Sequence, residues 1–165
     1  MKTTLISTLF FLFACETKLS HSDNSPKDLL VRLQSIPGFT VTEITPVDHF
    51  QRLFEIHLTQ YIDHTNPSAG TFQQKIFLGH VSESAPVILE TEGYSRDNQR
   101  TRQLSALMEV NQLAIEHRYY GESVPNPRNW QYLTIDQASN DIHRIIEKIK
   151  TIYTGKWASS GRSKG

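Results

Sequence analysis

The sequence is poor in cysteine and carries no excess charge of either sign. Its single cysteine, Cys15, cannot form an internal disulfide bond. Seventeen Lys and Arg residues balance 17 Asp and Glu residues, so the net charge at pH 7 is zero. A protein that binds nucleic acid usually carries a basic patch or stripe. We therefore predict no nucleic-acid partner.

Histidine is more plentiful, but the spacing typical of a metal site is missing. The histidines that follow the N-terminal region are scattered: His49, His57, His64, His80, His117 and His143. Zinc motifs usually place two ligands within a few residues of each other. We predict no metal site and assign no cofactor. His143 falls next to the apolar stripe of a predicted helix, and we interpret it as a surface or hydrogen-bonded core histidine, not as a catalytic base.

The N-terminal region lacks an apolar run long enough to cross a membrane. Leu5 to Ala14 is about ten residues long, whereas a spanning helix needs about twenty. Lys2 before this run and the small residue before Cys15 predict a cleavable export signal over residues 1–15. The segment Leu12-Phe13-Ala14-Cys15 resembles a bacterial lipoprotein signal, which implies a lipid on Cys15 and membrane contact through that anchor alone. An ordinary secretory peptide with an incidental cysteine is the alternative, and both interpretations predict export.

Residues 16–27 are polar and predict a solvated linker, so we place the folded part at residues 28–165. An amphipathic segment, Asp28 to Ile36, ends at a Pro-Gly turn signal. Phe50 to Leu58 and Thr71 to Leu78 predict an antiparallel pair of strands.

The chain then alternates between short apolar strands and helical stretches. The predicted order is a strand at Pro86 to Glu90, a helix at Asp97 to Val110, a strand at Leu113 to Glu116, a long helix, and a strand at Trp157 to Ser160. This order is typical of a parallel sheet covered by helices. We therefore predict an α/β fold with a mixed, mostly parallel sheet.

The long helix has the clearest pattern in the sequence. Thr134 and Gln137 have the spacing of a capping box, and Gly155 stands where glycine often closes a helix. An apolar stripe recurs at helical spacing, formed by Ile135, Ala138, Ile142, Ile145, Ile146, Ile149 and Ile152.

The final strand leads into Gly161-Arg162-Ser163-Lys164-Gly165, which matches a nucleophile elbow. An elbow holds a serine on a tight strand-to-helix turn, where neighbouring glycines relieve crowding. Ser163 is thus the candidate nucleophile, and the backbone N–H of Lys164 is a candidate oxyanion donor. The loop Glu92-Gly93-Tyr94 follows an earlier strand and could supply the second donor. The alternative for Gly93 is an ordinary turn glycine.

A dense polar and aromatic stretch, Glu116 to Ser123, follows the next strand and should lie at the same end of the sheet. Arg118, Tyr119 and Tyr120 are therefore candidates for substrate contact, together with Glu92. A buried network that shapes the loop is the alternative for Glu116 and Arg118.

Several of these motifs, taken in order, resemble the secreted bacterial prolyl tripeptidyl aminopeptidases. The matching motifs are Glu116 to Ser123, Trp130 to Thr134, Gln137-Ala138, Asp141 to His143, and Gly155 to Trp157 with the elbow. These enzymes are serine peptidases similar to the prolyl carboxypeptidase and dipeptidyl peptidase II group. The resemblance implies an α/β-hydrolase core with a helical cap later in the chain. It also implies peptide substrates from whose N-termini short proline-containing units are released.

In such a fold the acidic residue and the histidine of the triad follow the serine, so both should lie beyond Gly165. We therefore expect the chain to be the N-terminal part of an α/β-hydrolase fold, truncated at the elbow and inactive alone. Three alternatives stay open: another esterase or lipase, a non-catalytic surface lipoprotein that retains the fold, and a flexible basic tail at Gly161 to Gly165.

Overall fold

The structure, a computed structural model, describes residues 28–163, apart from the side chain of Arg162. The strands are β1 (Phe39–Ile44), β2 (Arg52–Tyr61), β3 (Thr71–His80), β4 (Val87–Glu92), β5 (Asn111–Ile115) and β6 (Trp157–Arg162). The α-helices are α1 (Leu29–Gln34), α2 (Gln103–Met108) and α3 (Ile135–Ile149). Two short 3-10 turns lie at Pro67–Ala69 and Trp130–Tyr132.

All six strands form one mixed sheet in the order β1-β2-β3-β5-β4-β6. The pairs β1–β2, β2–β3 and β3–β5 are antiparallel, whereas β4 is parallel to both β5 and β6. The predicted α/β class and the antiparallel β2–β3 pair are confirmed, but the prediction of a mostly parallel sheet was wrong. Strand β1 pairs with β2 and was not predicted from the sequence. Its exposed Thr and Glu residues leave too few apolar residues to indicate a strand.

The main core lies between one face of the sheet and the helices α1 and α3. Leu33 of α1 and Ile145 and Ile149 of α3 are completely buried against strand residues such as Ile56 and Leu113. The apolar stripe predicted for the long helix is therefore confirmed along most of α3. Its first member, Ile135, is an exception, since 86% of its surface is exposed.

The N-terminus of α3 is capped as predicted, although the capping box is incomplete. Thr134 Oγ1 accepts a hydrogen bond from the backbone N–H of Gln137 at 3.2 Å. The Gln137 side chain does not return this contact: its amide donates to Asp63 at 2.9 Å and its carbonyl accepts from the His64 N–H at 2.8 Å. The side chain thus joins the helix to the loop after β2.

Gly155 does not close α3, contrary to the sequence prediction. The helix ends at Ile149 with Lys150 as its C-cap, five residues before the glycine. A Cβ on Gly155 would lie 2.2 Å from the carbonyl oxygen of Ala85. Glycine is therefore required because the segment before β6 passes close to the turn before β4.

Because the connections β4-α2-β5 and β5-α3-β6 run in opposite directions along the sheet, right-handed crossovers place α2 on the face opposite α3. Helix α2 is shorter than the predicted helix at Asp97 to Val110. Residues 96–102 form other contacts instead: an Arg96 guanidinium N–H donates to the Arg100 carbonyl at 2.6 Å, and the Arg102 N–H donates to the Gln112 side chain at 2.7 Å. The large apolar side chains of α2, namely Leu104, Leu107 and Met108, are exposed. None of the helices among residues 28–163 has the length and apolar character needed to cross a bilayer.

Candidate active site

Ser163 directly follows the last residue of β6 and lies beside the end of β4. Because β4 and β6 are parallel, with Glu92 opposite Arg162, the loops after these strands leave the sheet at the same edge. Ser163 is exposed and has a backbone φ of +59°. A left-handed conformation is uncommon for a residue with a side chain and often occurs at functional turns.

The path of the chain explains why a crevice forms at this edge. From β4 the chain passes through α2 to β5 on one side of β4, and from β5 it returns through α3 to β6 on the other side. In sheets with parallel strands, ligands bind outside the carboxyl ends of the strands, where the direction of the connections reverses. The ends of β4 and β6 provide such a position.

An open cleft of about 320 Å³ contains Ser163 and the loop after β4. The loop contributes the charged and polar residues Glu92, Tyr94, Ser95, Arg96, Asp97, Asn98, Arg100 and Arg102. Sequence reasoning placed residues from Asp97 onward in a helix and so missed most of this wall. The available signal was the polar run from Ser95 to Arg102, which directly follows a buried strand and contains no large apolar residue.

Arginine side chains hold the start of this loop. The Glu92 carboxylate accepts a hydrogen bond from Arg96 at 2.7 Å and also forms an ion pair with Arg102. Burial lowers the pKa of the Arg96 guanidinium, a shift that Glu90 opposes. The substrate contact predicted for Glu92 stays a prediction, but its carboxylate already binds two arginines.

Glu90 lies two residues before Glu92 on the same face of β4. It is buried, and its Oε1 atom has no hydrogen-bond partner within residues 28–163. Burial raises the pKa of the Glu90 carboxyl, whereas Arg102, Arg96 and a hydrogen bond from Ser160 lower it. Glu90 was not among the site residues predicted from the sequence.

The candidate oxyanion loop is tied to the loop after β5. Gly93 is buried and Tyr94 is about half exposed. The Tyr94 carbonyl accepts from the His117 N–H at 3.2 Å, and the Arg96 N–H donates to Glu116 Oε2 at 2.7 Å. Lys164, the other proposed oxyanion donor, and Cys15, the proposed lipidation site, lie outside the described residues.

Glu116 is a completely buried acceptor around which the loop after β5 folds. Its Oε1 atom accepts from the N–H groups of Glu122 and Ser123 and from the Ser123 hydroxyl, at 2.8 to 3.0 Å. Gly121 has a φ of +52°, and a Cβ there would lie 2.1 Å from Glu116 Oε2. The Glu116 carboxylate and Gly121 therefore shape the loop together.

Arg118 is also completely buried, in a separate network. Its guanidinium forms a bidentate contact with Asp141 at 2.6 and 2.9 Å and donates to the carbonyls of Tyr61, Ile62 and Tyr132. His64 Nε2 lies 2.7 Å from Asp141 Oδ1. This geometry favours the structural alternative for Arg118 over substrate contact, although Glu116 and Arg118 do not pair with each other. No local pattern indicates that Asp141 and His64 join Arg118, because they lie 23 and 54 positions from it in the sequence.

The two candidate tyrosines have different surroundings. Tyr119, with a φ of +71°, is buried: its hydroxyl donates to the Asn129 carbonyl and its ring stacks on Trp130. The Tyr120 ring makes edge-to-face contacts with Tyr94 at 5.3 Å and His117 at 5.7 Å. Tyr120 is therefore the candidate that contacts a residue of the Ser163 cleft.

His143 is exposed on α3. Within the described range, three or more His, Cys, Asp or Glu side chains do not come close enough together to hold a metal ion.

Residues 23–165 match the family described as PS-10 peptidase S37. The chain belongs to the peptidase S37 family. A relative from Streptomyces mobaraensis, named prolyl tri/tetrapeptidyl aminopeptidase, is 33% identical over 84% of this chain and 29% of its own length. The serine protease vicPb of Bipolaris victoriae is 34% identical over 55% of this chain and 20% of its own length.

This S37 chain spans less than a third of the length of these curated relatives. Among the residues singled out in its sequence, the fold brings Ser163, Glu92, Gly93, Tyr94 and Tyr120 to one edge of the sheet. Arg118 and Tyr119 are buried behind that edge and support it.

Proposed function

We propose that the whole protein is a serine exopeptidase that forms an acyl-enzyme on Ser163. The observation that carries this proposal is the left-handed Ser163 at the end of a parallel strand, exposed beside the loop that contains Gly93. A nucleophile elbow requires such a strained and accessible turn. Membership of the S37 family and the serine protease names of the relatives support the same chemistry.

The fold proposed for the whole protein is an α/β-hydrolase, of which residues 28–165 form the N-terminal part. Three features support it: the parallel strands β4, β5 and β6, the crossovers through α2 and α3, and the serine turn after β6. Each strand of this group is followed by a loop that reaches the Ser163 edge.

In the proposed mechanism, Ser163 Oγ attacks the carbonyl carbon of the scissile peptide bond while a histidine beyond Gly165 accepts the hydroxyl proton. The carbonyl oxygen becomes an oxyanion that receives hydrogen bonds from the backbone N–H groups of Lys164 and the Gly93-Tyr94 loop. The histidine then transfers its proton to the leaving amine, which departs with the C-terminal part of the peptide. Water hydrolyses the resulting ester and restores Ser163.

The proposed substrates are peptides from whose N-termini short proline-containing units are released. This specificity is supported by the resemblance stated above and by the name of the Streptomyces relative. An esterase with the same elbow would hydrolyse activated esters but not these peptides. A non-catalytic lipoprotein would do neither.

A fluorophosphonate probe tests the nucleophile directly. We expect the whole protein to be labelled on Ser163, and the Ser163→Ala variant to remain unlabelled at that peptide by mass spectrometry. The 165-residue chain produced alone should label slowly or not at all, because the proposed base lies beyond Gly165. Rapid stoichiometric labelling of that chain would contradict the placement of the histidine beyond Gly165.

We also propose that the protein is exported and anchored through a lipid on Cys15. The lipoprotein-like segment Leu12 to Cys15 supports this proposal. Metabolic labelling with a radioactive fatty acid should mark the wild-type protein and not the Cys15→Ser variant. Equal labelling of both would contradict it.

A further inference from the structure

A second cleft lies at the same edge of the sheet as the Ser163 cleft. Its volume is about 440 Å³, and it is lined by His117, Tyr120, Leu133, Thr134 and Ile135. We call it the remote apolar pocket, because Ser163 is not among its lining residues. Pockets that bind small ligands typically measure about 300 to 1,000 Å³ and are mainly apolar.

The rim of this pocket exposes apolar surface that the helix pattern would normally bury. Ile135 is the first residue of α3 and is 86% exposed, whereas Ile145 and Ile149 further along the same helix are completely buried. Trp130, five positions before Ile135, does not line the pocket but is also largely exposed, at 59%. A cluster of exposed apolar side chains often marks a binding site.

The pocket is held by contacts behind it. Arg118 donates to the Tyr132 carbonyl at 2.8 Å, immediately before Leu133, and the Thr134 hydroxyl caps α3. Tyr119 stacks on Trp130 with ring centroids 5.3 Å apart. Because these supports are buried or bonded within the protein, the pocket exists before any ligand arrives and binding costs little reorganisation.

Tyr94 connects the remote apolar pocket to the Ser163 cleft. Tyr94 lines that cleft, and its ring contacts the Tyr120 ring edge to face. The Tyr94 carbonyl accepts from the His117 N–H, so both aromatic residues of the pocket touch Tyr94 or its backbone. Tyr94 and Tyr120 thus lie between the two clefts, so an extended peptide that runs from Ser163 past Tyr94 is directed towards the pocket.

We infer that the remote apolar pocket binds an aliphatic side chain or proline ring of the substrate, at least one residue away from the bond that is cut. This inference rests on the proposed function, because an exopeptidase that releases several residues at once must hold them along its surface. Apolar rings pack well on the aromatic and aliphatic side chains found here. His117 donates from Nδ1 to the Arg118 carbonyl at 2.8 Å, which orients the ring that lines the pocket.

The test uses the whole enzyme and pairs of peptides that differ only at the remote position, with leucine in one and serine in the other. The double variant Leu133→Ala and Ile135→Ala removes most of the aliphatic wall. We expect kcat/KM for the leucine peptide to fall about tenfold and kcat/KM for the serine peptide to stay within about twofold. The matched control is Val31→Ala, which shortens a half-exposed β-branched residue on α1, away from both clefts. It should change neither value.

Equal losses for both peptides, or no loss for either, would overturn the inference. The second outcome would arise if another segment of the whole protein fills the pocket. A binding titration with the Ser163→Ala enzyme separates this failure from failure of the proposed function, because it requires no catalysis. The leucine peptide should bind about tenfold more tightly than the serine peptide, and the double variant should abolish that difference. Equal binding of the two peptides contradicts the inference whatever the catalytic result.

Discussion

Glu116 organises two loops of the candidate active site with a single carboxylate. It accepts three hydrogen bonds from Ser123 and the Glu122 N–H through one oxygen, and one from the Arg96 N–H through the other. Every partner is a donor, so the site requires two acceptor oxygens. Lys75 lies 3.9 Å away and supplies a compensating positive charge.

We therefore expect Glu116→Gln to be strongly destabilising. The amide NH2 group of glutamine cannot accept a hydrogen bond, so at least one of the donors that now bind Glu116 would be left buried without a partner. We expect this to lower the free energy of unfolding by about 3 kcal/mol. Urea denaturation of the purified protein measures this value. Glu147→Gln, the same change at an exposed position of α3, should change it by less than about 0.5 kcal/mol. A Glu116→Gln protein of wild-type stability would show that the four hydrogen bonds are not maintained in solution.

His80 provides a pH-dependent contribution to stability. Its ring lies at the end of β3 with Nδ1 2.9 Å from the Tyr153 hydroxyl, and burial lowers the pKa of His80 below its ordinary value of 6.5. At a pH between the pKa of His80 in the folded protein and its pKa in the unfolded chain, the unfolded chain binds more protons. The contribution of His80 to the free energy of unfolding is therefore complete above about pH 6.5 and is lost as the pH decreases towards the folded pKa.

The urea midpoint of the wild type should therefore decrease as the pH is lowered over this range. His80→Asn should lose part of this pH dependence, whereas His143→Asn, at an exposed site, should keep all of it. Identical profiles for all three proteins would rule out the effect.

Among the secondary-structure elements, α3 shows most clearly what the sequence pattern could and could not predict. Its N-cap and buried stripe were identified correctly because both depend on spacing along one helix. Ile135 fits the same stripe but is exposed, since the first turn of α3 extends to the remote apolar pocket. Gly155 was misassigned because its close neighbour, Ala85, is 70 residues away in the sequence.

This difference along α3 gives a matched pair of substitutions. Ile149→Ala should destabilise the protein by about 3 kcal/mol, because it leaves a cavity in a fully buried site. Ile135→Ala should cost less than about 0.5 kcal/mol, since the side chain is exposed. Thermal or chemical denaturation measures both. Similar effects of the two changes would mean that Ile135 is covered in solution.

The candidate site could be predicted from the sequence only where its position depends on local patterns. Ser163 and Gly93 follow strands whose apolar runs are visible in the sequence, so their position at one edge could be inferred. The wall formed by Arg96, Arg100 and Arg102 was not, because its conformation depends on ion pairs and on a contact with Gln112. Local propensity alone favoured a longer helix there.

At the scale of the whole molecule, the sheet is covered unevenly. The helices α1 and α3 bury one face, whereas α2 on the other face exposes Leu104, Leu107 and Met108. Beside α2, an open groove of about 680 Å³ runs along Glu90, Ser160 and Gly161. Strand β6 pairs with β4 alone and is an edge of the sheet in the described residues. Exposed edges and apolar patches promote association between chains.

We therefore expect the 165-residue chain, produced alone, to self-associate as its concentration rises. Light scattering coupled to size-exclusion chromatography should show species larger than 18.9 kDa. Leu107→Lys on α2 should shift the population towards the monomer. Val31→Lys on α1, which covers the other face of the sheet, should have a smaller effect. A wild-type chain that stays monomeric at high concentration would contradict this expectation.

The place of β6 in the sheet has a consequence for synthesis on the ribosome. Strand β4 emerges some 65 residues before β6, so β4 and β5 can pair, and the loops around Gly93 and Glu116 can form, before the serine strand is made. Ser163 then joins the edge of the sheet that β4, β5 and these two loops have already formed. The order of translation thus presents the proposed nucleophile only after the two loops beside it have been made.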